Sequence, residues 1–121
     1  MSVTVLTVDD SRAMRDMLQH SLAAAGFRVI QAEDGLHGLE VLAYEMPDVI
    51  VTDINMPRMD GFGFIKAIRD DILRRATPVL VLTTEVDAEK KNRAREAGAT
   101  GWIVKPFDPE KLVEAIRRVA A

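Results

Sequence analysis

The chain has 121 residues, with 16 basic and 19 acidic side chains and a net charge of −3, a balance that excludes a nucleic-acid binder relying on a basic surface. At 48% hydrophobic and 29% charged, it has the material for one packed domain and too little length for two of ordinary size. It contains no cysteine, which removes disulfides, thiolate metal sites and cysteine nucleophiles; no apolar run nears the roughly 20 residues of a membrane span, and Met1-Ser2-Val3-Thr4-Val5 lacks the basic start of a signal peptide.

A single cytoplasmic domain is therefore expected. Its first strand is Thr4-Val5-Leu6-Thr7-Val8, followed by Asp9-Asp10-Ser11. Met14, Met17, Leu18, Leu22 and Ala25 recur at three- and four-residue steps and predict a helix that Gly26 stops. Arg28-Val29-Ile30-Gln31-Ala32 reads as a second strand. A second helical stripe is Leu36, Leu39, Leu42, Ala43 and Met46, introduced by Asp34-Gly35 and closed by Pro47. The third strand, Val49-Ile50-Val51-Thr52, leads to Asp53, and the third helix, around Phe62, Phe64, Ile65 and Ile68, follows the Asp60-Gly61 turn. Val79-Leu80-Val81-Leu82 is the fourth strand. The helix after it, Ala88 to Ala97, has almost only alanine as its apolar content, so it should bury little area and be held loosely. Trp102-Ile103-Val104 is the fifth strand. The last helix opens with a cap, a proline and an acid, Asp108-Pro109-Glu110, and carries the stripe Leu112, Ile116, Val119.

Three of the strands are apolar nearly throughout, as expected when helices cover both faces of a sheet. Five consecutive β-then-α units predict an α/β fold with a doubly wound parallel sheet. In such sheets function gathers at the carboxyl ends of the strands. Those ends carry Asp9 and Asp10, Asp53, then Thr83, Thr84 and Glu85, and finally Lys105-Pro106.

Two carboxylates about 4 Å apart repel by roughly 1 kcal/mol in water and about 4 kcal/mol at an effective dielectric near 20. Three at one rim should therefore raise a pKa or recruit a cation. An all-oxygen anionic site suits a hard divalent ion, Mg²⁺ above all. Lys105 could then hold an anion. A metal, a lysine, a hydroxyl and a spare carboxylate meet the needs of phosphoryl transfer, which is mostly positioning and charge neutralisation. Asp53 is the expected nucleophile.

These residues resemble the receiver domain of two-component response regulators, most closely its stand-alone chemotaxis (CheY-like) form. The resemblance rests on Val8-Asp9-Asp10-Ser11, Asp53-Ile54-Asn55-Met56-Pro57-Arg58-Met59-Asp60-Gly61, Thr83-Thr84-Glu85 and Lys105-Pro106-Phe107, in the family's order and across essentially the whole chain, residues 1–121. It implies a flavodoxin-like sheet of order 2-1-3-4-5 and a phosphorylation-activated switch. It implies that Asp53 is the phosphoacceptor, supplied by a histidine kinase of the CheA-like kind, with the flagellar switch protein as output partner. Mg²⁺ would be bound by Asp10, Asp53 and the Asn55 backbone carbonyl, with Asp9 assisting. Lys105 would contact a phosphoryl oxygen, and its bond to Pro106 would be cis.

By the same resemblance the Thr83 hydroxyl moves towards the phosphoryl group and the aromatic side chain of strand five fills the vacated space. Trp102 stands where tyrosine or phenylalanine is commonest, and Thr84 where a smaller residue is usual. Asn55 and Glu85 flank the line of water attack and would tune the lifetime of the phosphorylated form. The protein would be a monomer that binds neither nucleic acid nor membrane, and not an enzyme beyond its own phosphorylation and dephosphorylation.

Taken singly, these residues have plainer readings. Asp9-Asp10 could cap a helix with Ser11, Lys105 could be a surface lysine, and Thr83 a β-branched strand residue. His20, His37, Lys90-Lys91 and Arg117-Arg118 read as surface groups, and the six methionines as core packing. Convergence of the acids and Lys105 on one rim sets them apart. A flavodoxin-type nucleotide carrier would need glycine and hydroxyls where Asp9-Asp10 stand. A haloacid dehalogenase-type phosphatase would have its two acids separated by one residue and would carry a cap domain. A phosphate sink without an output partner has the same residues as a motor regulator.

Overall fold

The computed structural model describes residues 2–121. Elements alternate in the order β1 (Thr4–Val8), α1 (Arg12–Ala24), β2 (Arg28–Ala32), α2 (Gly35–Leu42), β3 (Val49–Thr52), α3 (Gly61–Asp70), β4 (Val79–Thr83), α4 (Ala88–Ala97), β5 (Gly101–Val104) and α5 (Pro109–Ala120). The five strands are parallel and ordered β2-β1-β3-β4-β5. Every helix begins at an aspartate or serine whose side chain accepts from a first-turn backbone N–H: Ser11, Asp34, Asp60, Asp87 and Asp108.

Alternation along the strands divides the core in two. Leu6, Val8, Ile50, Val79 and Val81 face α2, α3 and α4, where Phe64, Ile65 and Ile68 meet them. Val5, Val49, Val51, Leu80 and Leu82 face α1 and α5, where Leu18, Leu22, Leu112 and Ile116 meet them. The central strands β1, β3 and β4 are buried almost throughout. β5 is apolar in sequence yet is an edge strand with partly exposed residues, because among the described residues no sixth strand covers it.

Some expectations from periodicity need correction. Met17 is 56% exposed and Met46 70% exposed, so neither lies on a core face and not all methionines serve the core. α2 stops at Leu42 because Ala43 and Tyr44 donate to the carbonyls of Glu40 and Val41, a tightening that turns the chain before Met46. Leu36 is exposed as well; the buried positions of α2 are Gly35, Gly38 and Leu42, with Leu42 in the core and Gly38 lying against the Phe64 ring of α3. His37 is half-buried, and its Nδ1 accepts from the Glu33 N–H. α4 buries only Ala94, in keeping with its composition, and the Arg93 guanidinium lies 4.0 Å from the Phe62 ring centroid on α3.

Candidate functional site

The parallel ladder delivers the rim residues. Beyond the strand ends, the Asp9 N–H donates to the Ala32 carbonyl (3.1 Å), the Asp53 N–H to Val8 (2.9 Å) and the Lys105 N–H to Thr83 (2.8 Å), so all three follow the sheet's own register. Asp9, Asp10 and Asp53 each offer a carboxylate oxygen within 4.8 Å of the others'. Asp10 is the exposed member, Asp9 the buried one.

Lys105 lies among them. Its ammonium donates to Asp9 Oδ2 and to Asp53 Oδ2, each at 2.8 Å. The three side chains are 10%, 3% and 12% exposed, in the order Lys105, Asp9, Asp53. Two strand spacings of about 4.8 Å separate β3 from β5, so the backbones start roughly 10 Å apart; a lysine stem is long enough to cross that gap. Burial pushes the Lys105 ammonium down, but the hydrogen bonds and charges of Asp53 and Asp9 outweigh it and hold the group above its ordinary range.

The remaining oxygens are aimed by backbone donors. Asp53 Oδ1 accepts from the Ile54 N–H at 2.6 Å, and Asp9 Oδ1 from the Ser11 N–H at 2.9 Å. The loop after Asp53 returns at once, with the Gly61 N–H donating to the Ile54 carbonyl at 2.8 Å. A Cβ at Gly61 would lie 2.8 Å from the Ile54 Cα, so only glycine permits that approach. The Lys105–Pro106 bond is cis.

The other residues singled out in the sequence lie around this centre. Thr83 is fully buried and its Oγ1 accepts from the Glu85 N–H at 3.3 Å. Thr84 is exposed. Asn55 is exposed and its Nδ2 donates to Glu85 Oε1 at 3.3 Å. Trp102 is half-buried, pairs with Val81 in the ladder, and so shares a sheet face with Thr83. Three neighbours were not evident in the sequence. Lys90 of α4 donates to Glu85 Oε1 at 3.1 Å, which its place five residues after Glu85 in the first helical turn could have suggested. Arg15 donates to the Asp9 carbonyl at 2.7 Å. Asp34 pairs with Arg58 across 24 residues, and no local pattern signals it.

Residues 5–117 match the family model described as the response regulator receiver domain. The chain is 46% identical to the chemotaxis response regulator CheY4 of Vibrio cholerae, covering 98% of this chain and 99% of that one with a TM-score of 0.92. A CheY-like receiver domain protein from Methanospirillum hungatei is 27% identical, covers 99% of this chain and 94% of its own, and has a TM-score of 0.92. Among curated relatives, the response regulator MprA of Mycobacterium ulcerans is 39% identical over 120 residues, which make up 97% of this chain and 50% of that protein. The chain spans about half the length of the curated relatives it matches.

Proposed function

The chain belongs to the response regulator receiver domain family of two-component systems, and from that premise we propose that Asp53 takes a phosphoryl group from a histidine kinase and thereby switches the surface formed by α4, β5 and α5. The observation that carries this reading is the placement of Asp53: one oxygen is fixed by a backbone N–H, the other is shared with Lys105, and Asp9 and Asp10 stand alongside.

Three carboxylates within 4.8 Å of one another form an all-oxygen donor set that fits Mg²⁺ better than a softer ion. Asp9, Asp10, Asp53 and the main-chain carbonyl of Asn55 would hold it. When bound, Mg²⁺ offsets the repulsion between Asp53 and the anionic phosphoryl donor. An Asp53 carboxylate oxygen attacks phosphorus, the new P–O bond forms as the P–N bond to the kinase imidazole breaks, and the imidazole leaves with that bond's electron pair.

Lys105 then exchanges a carboxylate partner for a phosphoryl oxygen. The buried Thr83 hydroxyl donates to another, and Trp102, on the same sheet face, follows into the space that Thr83 vacates. Exposed Thr84 borders the approach to the phosphoryl group. Asn55 and Glu85 flank the path of hydrolytic water, with Glu85 Oε1 accepting from both Asn55 and Lys90. The domain promotes only its own phosphorylation and dephosphorylation.

The near end-to-end likeness to CheY4, at higher identity than the half-length likeness to MprA, supports a chemotaxis role with a CheA-like kinase as donor and the flagellar switch protein as target. The likeness to MprA supports a second reading, a receiver serving a longer regulator. Capture of the flagellar switch protein by this chain, with and without beryllofluoride and Mg²⁺, tests the first. Binding that requires beryllofluoride and disappears in Asp53→Asn supports it; binding indifferent to both, or none in either state, overturns it.

A further inference from the structure

Arg58 is the one non-glycine residue with a left-handed backbone among the described residues, at φ 63°. The Met59 N–H donates across it to the Pro57 carbonyl at 2.7 Å, closing a three-residue turn. Such a conformation is strained for a side chain with a Cβ and persists only where its surroundings enforce it. Here they do so from α2. Asp34, its side chain 5% exposed, receives Arg58 Nε on Oδ2 at 2.8 Å and Arg58 Nη2 on Oδ1 at 3.1 Å, a two-pronged contact that fixes orientation as well as distance. Beside it the Gly35 N–H donates to the Met59 carbonyl at 3.1 Å, and a Cβ at Gly35 would lie 2.7 Å from the Met59 side chain.

The strained turn thus belongs to a loop tied down at three places: to α2 through Asp34 and Gly35, and to its own root through the Gly61–Ile54 hydrogen bond. Asn55 lies inside that closed loop, three residues before Arg58 and two after Asp53. A backbone carbonyl has no rotamer to adjust; its direction is set wholly by how its loop is held. We propose that the Asp34–Arg58 pair is a positioning clamp that aims the Asn55 carbonyl at the acidic cluster and thereby sets the affinity of the site for a divalent cation. This rests on the reading of Asp9, Asp10, Asp53 and Asn55 as the Mg²⁺ site. Neither Asp34 nor Arg58 touches the cation; both act through the loop.

Arg58→Gly separates this role from simple bracing. Glycine removes the guanidinium but accepts the positive φ without strain, so strain relief offsets part of the stability lost with the ion pair, while the Kd reports the aiming alone. Titration of Mg²⁺ into the intact chain by calorimetry, with a melting curve of each protein in chelator, reads both. The expected result is a Kd about tenfold weaker in Arg58→Gly, within the range of outer-shell effects on metal sites, with a melting midpoint in chelator lowered by loss of the ion pair but less than in Arg58→Ala, which loses the pair and keeps the strain. Asp34→Asn keeps a good helix cap and should weaken Mg²⁺ binding to the same extent, and the double variant should be no weaker than either single one. A change below about twofold in Arg58→Gly, outside that range, overturns the clamp while leaving the Mg²⁺ site standing, as does a Kd that weakens in Arg58→Gly but not in Asp34→Asn. No Mg²⁺ uptake by the unaltered chain overturns the site assignment and the clamp with it.

Discussion

Replacing Lys105 with methionine isolates the electrostatics of the rim, because methionine nearly keeps the volume and removes only the charge. The ammonium lies 2.8 Å from a carboxylate oxygen of Asp9 and of Asp53. At an effective dielectric near 20 each contact is worth about 6 kcal/mol of Coulomb attraction before desolvation. Most of that is cancelled by taking three charges out of water, and removal of one partner of a buried pair costs about 3–5 kcal/mol because the other is left uncompensated. Asp53 retains some exposure, so the lower end applies. For a domain of this size about 1 kcal/mol corresponds to roughly 4 °C, so Lys105→Met should melt about 12 °C below the unaltered protein in chelator.

Magnesium should reverse most of this loss. The dication then has both carboxylates to itself, and at a concentration of about 100 times Kd it adds about 2.7 kcal/mol. The gain in melting midpoint on adding Mg²⁺ should therefore be larger in Lys105→Met than in the unaltered chain. Scanning calorimetry in chelator and in Mg²⁺ makes the measurement. The sign with pH also follows: Lys105 is held above its ordinary value of 10.5, so its contribution is fully present below that value and is lost as pH rises through the folded-state value. The variant should lack this alkaline loss. An unchanged melting point in chelator, or a Mg²⁺ gain no larger than that of the unaltered protein, would show that Lys105 is not the counterion of Asp9 and Asp53.

Other perturbations test other parts of the account. The Arg58 guanidinium holds the Asp34 carboxyl below its ordinary value of 3.8, against the opposing effect of burial; the pair's stabilisation is present above that value and lost as pH falls through the lower folded-state one, so acid denaturation of Asp34→Asn should lack this component. Gly98 ends α4 at φ +113°, where an added Cβ would also lie 2.7 Å from Arg69 Cγ; Gly98→Ala should cost about 1–3 kcal/mol in urea denaturation, and an unmoved midpoint would count against the assignment. Replacing Asn55 and Glu85 together with apolar residues should slow hydrolysis of the phosphorylated form by roughly tenfold to a hundredfold; an unaltered decay rate, followed by loss of label, would remove both residues from the lifetime role.

The strands and the helix starts were legible because their signals are local, whereas the strand order came with the family resemblance. Aspartate or serine before each helical stripe, and β-branched runs between, were enough to put Asp9, Asp10, Asp53, Thr83 and Lys105 on one rim. Periodicity failed at Met17 and Leu36, since a stripe in sequence does not reveal which of its edges meets the sheet, and at Met46, since α2 stops at Leu42 before reaching it. The apolar run of β5 does not by itself disclose an edge position, but the strand order implied by the resemblance places it there. The bridge from Lys105 to both Asp9 and Asp53 was not legible, because it depends on how close the ends of β1, β3 and β5 come; it arises because two buried carboxylates without a counterion are the costlier arrangement. The Asp34–Arg58 pair was invisible because it joins two loops that meet only when β1 lies between β2 and β3.

If Asp53 alone carries the phosphoryl group, mass spectrometry after incubation with acetyl phosphate and Mg²⁺ should find a gain of one phosphoryl mass on the peptide containing Asp53, abolished by chelator and by Asp53→Asn. Equal labelling of Asp53→Asn, or labelling that ignores Mg²⁺, would contradict that assignment.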